Sequence, residues 1–378
     1  MSTPRPHAPR TRGWVIGHVV GAPIILAPSW LVAAVVLTLL FAPSVRARSS
    51  EDLGPFVYVV ALIFVVLLFA SVLVHELAHG LTARARKQQP HEFVLTLWGG
   101  HTSFGGAAPT PATSALVAAV GPLANLVLAA GFYGAAHLFD PWSVPGLILY
   151  SGAISNGFVG IFNLVPGLPL DGGRVLEAGV WAITKNRHTG TVAAGWSGRV
   201  VAVLLFSWAL VWPLVQGVQP DLSSVIWTSF IAAFLWAGAT ASVRQGRTQR
   251  AVHGLTVAAV ASPAVGVPYT DSVAHAGATA AAVGAHEVVL LAPDGRPAAY
   301  VDRAAAAAVP ADVAGTTPLT SVAVTLPFGA VVDGLLSGPA LIAALSEATR
   351  SSPVVAATID GRVVGLIRAS DVVGAIRA

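Results

Sequence analysis

The sequence FVYVVALIFVVLLFASVLV, residues 56–74, contains no charged side chain, and HELAH follows it directly at residues 75–79. An uncharged run of 19 residues is long enough for a helix that crosses a bilayer. Residues four apart on a helix share a face, so His75 and His79 can bind one zinc ion while Glu76 acts as a base. Because ionisable groups in a membrane span are costly, the motif predicts a functional site.

The composition of the whole chain is that of a membrane protein. Of the 378 residues, 55% are hydrophobic and 10% are charged, and the mean hydropathy is +0.73. Soluble domains carry about 25% charged residues. The sequence therefore predicts a polytopic α-helical membrane protein with about six crossing segments, at residues 29–42, 56–83, 112–139, 145–165, 192–214 and 225–242.

The distribution of basic residues predicts the orientation of these segments. With a cytoplasmic N-terminus, the outer loops contain only Arg46 and Arg48. The inner segments then contain 13 basic residues: Arg5, Arg10, Arg12, Arg84, Arg86, Lys87, Arg174, Lys185, Arg187, Arg199, Arg244, Arg247 and Arg250. Both termini are therefore predicted in the cytoplasm, and the N-terminus is not interpreted as a cleaved signal peptide. The net charge of +4 reflects this bias and gives no indication of nucleic-acid binding.

The numbers of cysteine, lysine and arginine residues indicate which side chains can bind a metal and what kind of organism encodes the protein. The chain contains no cysteine, which excludes disulfides and leaves His, Asp and Glu as the candidate metal ligands. Two lysines against 19 arginines, with many alanines and glycines, are typical of a GC-rich bacterial genome. We therefore expect a protein of the bacterial inner membrane.

A second motif, NLVPGLPLDGGR at residues 163–174, follows the fourth hydrophobic segment. Its two prolines and the two glycines after them prevent a regular helix from passing through, and a broken helix at membrane depth is buried in protein or lines a cavity. A zinc hydrolase needs three protein ligands. Asp171 is the favoured third ligand, because it is predicted at the same depth as His75 and His79; the alternative is a turn-forming aspartate.

These two motifs together resemble those of the site-2 protease family of intramembrane zinc metalloproteases, over about residues 13–245. The string GPLAN at residues 121–125 is also similar to that family. The resemblance implies one zinc ion per chain with three ligands, His75, His79 and Asp171. It implies Glu76 as the general base, and a transmembrane or membrane-associated protein as the substrate.

The resemblance also suggests roles for two asparagines. In that family the asparagines that correspond to Asn163 and Asn125 are thought to steady the substrate or the oxyanion. Here either residue could instead form hydrogen bonds between helices. His101 is a further candidate ligand, although a lone histidine beside glycines is more often structural.

Residues 17–28 and 90–104 have the composition of β-strands. Related proteases place a strand near the active site, because a helical substrate must unwind before its peptide bonds can be cleaved. An exposed strand edge in this segment could hold an unwound substrate by strand addition.

Residues 251–378 differ in character from the preceding part, because no apolar run reaches the length of a span. The string VVLLAPDGRPAAYV at residues 288–301 parallels VVAATIDGRVVGLI at residues 354–367. Each reads as strand, Asp-Gly turn and strand. This pattern predicts a cytoplasmic α/β domain with an internal repeat, separate from a membrane domain over residues 1–250.

The repeat resembles a tandem pair of cystathionine-β-synthase (CBS) modules, at about residues 254–310 and 316–378. In such modules a Gly-x-x-Thr/Ser-x-x-Asp string often contacts an adenosine ribose. The corresponding string GLIRASD ends at Asp371 and has Arg368 where Thr or Ser is usual. The resemblance implies a candidate adenine-nucleotide site at Asp371, or a purely structural or dimerising module.

The two resemblances together imply regulated intramembrane proteolysis, such as the processing of an anti-sigma or pro-sigma factor. A CBS-regulated transporter or channel is an alternative, but it would need no HExxH motif. A non-catalytic binding relative would be expected to have lost Glu76 or a ligand. A membrane protease of the prenyl-protein type would use a glutamate as third ligand, for which Glu177 is the nearby candidate.

Overall fold

The computed structural model describes three stretches of chain, residues 11–97, 99–105 and 110–377. These residues form two compact units, one that ends at Arg244 and one that begins at Gln245. Arg5 and Arg10, which contributed to the predicted orientation, lie outside the described residues.

The first unit is built from long apolar helices. Six described helices are long and apolar enough to cross a membrane: α1 (Ser29–Arg48), α2 (Val57–Ala85), α3 (Pro111–Ala136), α4 (Val144–Asn163), α6 (Arg187–Val215) and α7 (Leu222–Gly254). The predicted polytopic helical architecture is therefore confirmed. A seventh helix, α5 (Asp171–Thr184), is shorter and was not predicted.

The predicted break after α4 is present, but it is shorter than expected. Helix α4 ends at Asn163 and α5 begins at Asp171, so residues 164–170 form the interruption. The prediction was wrong for Gly172 and Gly173, which lie in the first turn of α5 instead of in the break. Helix formation there is tolerated because the prolines precede the helix and cannot remove one of its hydrogen bonds.

A four-stranded sheet accompanies the helices and confirms the predicted strands. Its order is β1 (Trp14–Val19), β2 (Ala22–Leu26), β3 (Gln89–Thr96) and β4 (Gly99–Gly105). Strands β2 and β3 are parallel, whereas β1 with β2 and β3 with β4 form antiparallel hairpins. Strand β3 lies inside the sheet, so β4 is the edge that the segment 90–104 contributes.

The sheet packs its apolar face on α2. Phe93 of β3 has no exposed surface, and a Cβ atom on Gly80 of α2 would clash with its ring. The register of the hairpin pairs Phe93 with Thr102 and Leu95 with Gly100. Directly opposite residues in an antiparallel pair share a face, so Thr102 and Gly100 of β4 also face α2.

The second unit contains one seven-stranded sheet. Its order is β8-β7-β6-β5-β11-β10-β9, from β5 (Ala261–Pro268), β6 (Glu287–Leu291), β7 (Pro297–Val301), β8 (Ala323–Thr325), β9 (Val331–Asp333), β10 (Val354–Ile359) and β11 (Arg362–Arg368). Its helices are α8 (Val257–Val260), α9 (Val273–Ala282), α10 (Arg303–Ala307), α11 (Gly338–Ala348) and α12 (Ala369–Arg377).

The repeat inferred from the sequence is visible in this sheet. Hairpin β6–β7 corresponds to hairpin β10–β11, and both are antiparallel. Each hairpin follows a helix, and its first strand pairs in parallel with the strand before that helix. The predicted α/β domain with two similar halves is therefore confirmed.

Candidate metal centre

Helix α2 presents two neighbouring faces at the point where the HELAH motif lies. Ser71, His75 and His79 are spaced four apart and share one face, along which the histidines contact α3 and Ser71 contacts α4. Glu76 directly follows His75, Gly80 directly follows His79, and both face the sheet. The single motif therefore presents its histidines and its glutamate to different structural elements.

The two histidines and Asp171 converge on one point. His75 Nε2 lies 3.1 Å from Asp171 Oδ2, His79 Nε2 lies 3.3 Å from the same oxygen, and the two Nε2 atoms are 3.1 Å apart. A tetrahedral zinc ion with bonds of 2.0–2.1 Å places any two of its ligand atoms about 3.3 Å apart. The triangle therefore has the dimensions of one face of a zinc site.

The other ring nitrogens determine what this triangle can bind. His79 Nδ1 lies 2.6 Å from the carbonyl oxygen of Val117, which can only accept a hydrogen bond. His75 Nδ1 lies 2.5 Å from Asn125 Oδ1, also an acceptor. In a neutral imidazole, both Nδ1 atoms then carry the hydrogen, and both Nε2 atoms present lone pairs.

Three electron-rich atoms thus meet in a buried space. They are mutually repulsive unless a positive charge lies between them. A proton can be shared by only two of them, whereas a divalent cation is bound by all three at once. The geometry therefore fits zinc, and each histidine donates its other N–H group to an acceptor, as metal-ligating histidines generally do.

Asp171 reaches this point because the break after α4 is tightly packed. The amide of Leu168 donates to the carbonyl of Ala194 on α6 at 3.0 Å, which anchors the break. A Cβ atom on Gly172 would clash with the carbonyl groups of Leu164 and Val165. Glycine at this position therefore lets the first turn of α5 lie directly on the break.

Asp171, which lies outside the six apolar helices, is held as a carboxylate. Burial by itself raises the pKa of this group. In the absence of a metal, when a histidine Nε2 carries a proton instead, hydrogen bonds and charge interactions with His75 and His79 outweigh burial and place the pKa of Asp171 well below its ordinary value. The carboxylate is therefore ionised at neutral pH and available as a ligand.

Glu76 is buried, with 7% of its surface exposed, and its position depends on strand β4. The hydroxyl of Thr102 donates to Glu76 Oε2 at 2.7 Å. A Cβ atom on Gly100 would lie 2.9 Å from Glu76 Oε1, which is too close for any side chain larger than hydrogen. The carboxylate of Glu76 is thus held in place by the edge strand β4.

The remaining predicted residues either lie away from the triangle of His75, His79 and Asp171 or contact one of its members. Asn125 lies behind His75, where its Oδ1 contacts the Nδ1 atom of this candidate ligand. Asn163 is half-buried at the end of α4, and its side chain forms no hydrogen bond with any described residue. His101 is exposed on β4, and Glu177 accepts a hydrogen bond from Arg187 Nε at 2.9 Å. Among the described residues, the metal-ligating cluster contains only His75, His79 and Asp171.

Sequence reasoning missed Ser71, Thr102 and Asn156, which all contribute to the site. Ser71 could have been found, because it lies four residues before His75 on the same helix face. Asn156 is a polar residue within an apolar helix, which by itself indicates a hydrogen-bonded partner. Thr102 gave no signal, because only the packing of the sheet on α2 brings it to Glu76.

Gly121 explains the GPLAN string and yields a prediction. A Cβ atom at this position would lie 2.8 Å from His75 Nε2 and closer still to His79 Nε2. We expect Gly121→Ala to lower zinc affinity by at least the 10–100-fold typical of changes behind a metal site, although alanine favours helix by about 1 kcal/mol. Zinc analysis of purified protein checks this. Gly131→Ala on the same helix, where no described atom is near, is the control and should bind zinc normally.

Comparison with known proteins agrees with this geometry. Residues 63–142 and 142–207 match the profile of peptidase family M50. These stretches include the metal triangle and Glu76, so the resemblance to site-2 proteases is confirmed for this part of the chain. The Rip3 protein of Mycobacterium tuberculosis, whose name proposes a zinc metalloprotease, is 36% identical over 200 residues. That stretch is 51% of this chain and 49% of Rip3, so the chain spans about half the length of this relative.

Two solved structures are similar at lower levels. A site-2 protease from Methanocaldococcus jannaschii has a TM-score of 0.42 and 22% identity, over 61% of this chain and 95% of that chain. The CBS domain of a bacterial CNNM/CorC family Mg²⁺ transporter has a TM-score of 0.27 and 12% identity, over 39% of this chain and 93% of that chain.

Proposed function

We propose that this chain is a zinc metalloendopeptidase that hydrolyses peptide bonds in or near transmembrane segments of membrane-bound proteins. The observation that carries this proposal is the convergence of His75, His79 and Asp171, with the carboxylate of Glu76 on the adjoining face of the same helix. A CBS-regulated transporter or channel is less well supported, because His75, His79 and Asp171 meet at one point instead of lining a path.

The residues of the site would divide the reaction between them. His75, His79 and Asp171 would hold a zinc ion, which would supply the Lewis acidity that activates water near neutral pH and polarises a peptide carbonyl. Glu76 takes the proton of the attacking water and delivers it to the leaving amine. Thr102 keeps the Glu76 carboxylate in one orientation through its hydrogen bond, while burial excludes bulk water.

The direct test combines metal content with cleavage. Purified protein should contain one zinc ion per chain and cleave a model transmembrane substrate in detergent or liposomes. The His75→Ala/His79→Ala double variant should contain no zinc and cleave nothing. Equal zinc in both proteins would refute the proposed metal centre.

The same proposal includes the location of the protein in the cell and its biological role. The distribution of Arg and Lys supports a bacterial inner-membrane protein with both termini in the cytoplasm. The site-2 protease resemblance supports a role in regulated intramembrane proteolysis, such as processing of an anti-sigma or pro-sigma factor. Reaction of single cysteines with a membrane-impermeant thiol reagent in intact cells tests the orientation: Ser49→Cys should react and Gln245→Cys should not.

The edge of β4 that pairs with no described strand is the proposed binding site for an unwound substrate. It belongs to the strand whose Thr102 and Gly100 contact Glu76, so a peptide paired with this edge lies beside the proposed base. Proline at Val94 or Leu95 would be a poor test, because both residues lie on the interior strand β3.

Crosslinking tests this edge cleanly, because the chain contains no cysteine. We predict that Ser103→Cys on β4, in a Glu76→Gln background, forms a disulfide with a model substrate that carries one cysteine near its cleavage site. Val15→Cys on β1, at the opposite edge of the sheet, is the control and should not crosslink. Equal crosslinking at both edges would show that β4 is not the substrate site.

We propose that the second unit is a regulatory CBS pair, which binds an adenine nucleotide at Asp371 or pairs two chains into a homodimer. Asp371 is exposed in the first turn of α12, where a ribose hydroxyl can reach it. Arg368 instead bonds to Glu287 of the other half at 2.9 Å, so it is not free to contact a ligand. Titration of the full chain with ATP should give binding that is lost in Asp371→Ala; no binding to the unmodified chain would leave dimerisation as the role.

A further inference from the structure

A chain of buried polar side chains leads from α4 to the metal triangle. Asn156 Nδ2 donates to Ser71 Oγ at 3.1 Å, and Asn125 Nδ2 donates to Asn156 Oδ1 at 2.8 Å. Asn125 Oδ1 in turn accepts from His75 Nδ1 at 2.5 Å. Asn156 and Asn125 are each 1% exposed, so water does not compete for these bonds.

Two backbone carbonyl groups determine the direction of every bond in this chain. Ser71 Oγ donates its only hydrogen to the carbonyl of Leu67 at 2.9 Å, so its oxygen must accept from Asn156. Asn156 Nδ2 also donates to the carbonyl of Gly152 at 2.9 Å. Because carbonyl groups cannot donate, the amide of Asn156 can be oriented in only one way.

This orientation passes along the chain to the metal ligand. Asn156 must turn its oxygen to Asn125, and Asn125 must therefore turn its amino group to Asn156 and its oxygen to His75. Because the Asn125 oxygen accepts a hydrogen bond from His75 Nδ1, the hydrogen of the neutral ring stays on Nδ1. The other ring nitrogen, Nε2, then has a lone pair that can bind a metal. If the Asn125 amide were reversed, its amino group would face the N–H group of His75 Nδ1, and two donors would oppose each other.

We propose that Asn156 is a positioning residue of the metal centre, which acts through Asn125 to hold His75 in its metal-binding tautomer. The role rests on the proposed function, since it presumes that His75 binds zinc. It is distinct from a packing role, because it depends on which atom of Asn125 faces His75 and not on how the space is filled.

Zinc affinity, measured by competition with a chelator on the purified full chain, tests this role without reference to cleavage. Asn156→Leu preserves the volume but no longer orients the Asn125 amide. Removal of a group behind a metal-ligating histidine typically costs 10–100-fold in metal affinity, and we expect a loss in this range. Ser155→Ala is the control: Ser155 adjoins Asn156 but bonds only to backbone carbonyls of its own helix, and the variant should bind zinc as tightly as the unmodified chain.

A rescue experiment separates orientation from packing. In Asn125→Asp both oxygens accept, so the carboxylate needs no orienting partner to receive the His75 N–H group. Alone, this carboxylate faces the oxygen of Asn156 and should weaken zinc binding. In the Asn125→Asp/Asn156→Leu double variant that repulsion is gone, and zinc should bind at least about 10-fold more tightly than in Asn156→Leu. If Asn156→Leu does not fold, Asn156→Ala replaces it in both proteins.

The outcomes are distinguishable. Normal zinc affinity in Asn156→Leu, or a double variant no better than Asn156→Leu, overturns the positioning role of Asn156 and leaves the proposed protease intact. Equal zinc in the unmodified chain and in His75→Ala overturns the proposed metal centre itself. The visible spectrum of the Co²⁺-substituted protein provides a second measurement. The spectrum should change in Asn156→Leu, and in Asn125→Asp/Asn156→Leu it should again resemble that of the unmodified chain.

Discussion

Replacement of Glu76 by glutamine is expected to reduce peptide hydrolysis by roughly 10²–10⁴-fold or more while zinc stays bound. The amide has nearly the same shape as the carboxylate, and its oxygen can still accept the hydrogen bond from Thr102. It cannot accept the proton of the attacking water. Glu76 is absent from the metal triangle, so the three ligands remain in place. Single-turnover cleavage of a model transmembrane substrate, with zinc analysis of the same sample, measures both quantities.

A matched control for this variant is Glu92→Gln. Glu92 is a carboxylate on β3, the strand that packs on the HELAH helix, but it accepts hydrogen bonds from Thr11 and forms none with the residues of the site. It should cleave at the normal rate. Near-normal turnover by Glu76→Gln would show that another group is the base, whereas loss of zinc from it would show that Glu76 holds the metal.

Replacement of Asp171 by alanine should remove both zinc and activity. The two histidines alone leave the metal with two protein ligands, and the loss of affinity should exceed the 10–100-fold that changes to supporting residues cause. Zinc content after dialysis against a weak chelator and cleavage of the same substrate are the two measurements. Full zinc occupancy in Asp171→Ala would make Asp171 a helix-terminal residue and not a ligand.

Glu177→Gln is the control for Asp171→Ala. Glu177 is a buried carboxylate on the same helix, and its partner is Arg187. It is also the third ligand that a protease of the prenyl-protein type would use. We expect Glu177→Gln to retain zinc, although the loss of the ion pair with Arg187 will lower stability. Loss of zinc from Glu177→Gln, together with its retention in Asp171→Ala, would support that alternative.

The sequence predicted the membrane architecture because hydrophobic length alone decides which segments can cross a bilayer. The sequence also predicted the strands that precede α1 and those that follow α2. It did not predict α5, whose start at Asp171 follows two prolines and contains two glycines. Local propensity opposes a helix there, and packing of Gly172 on the break favours it.

Within the site, the sequence by itself determined the pairing of His75 with His79, since residues four apart on a helix must share a face. It also placed Asp171 at a similar depth, through the topology of the spans. Only the tertiary structure decided that Asn125 lies behind His75, that Thr102 holds Glu76, and that Gly121 leaves room for the Nε2 atoms of the two histidines. These contacts join helices and strands far apart in the chain, and their geometry follows from packing, which no local pattern of residues encodes.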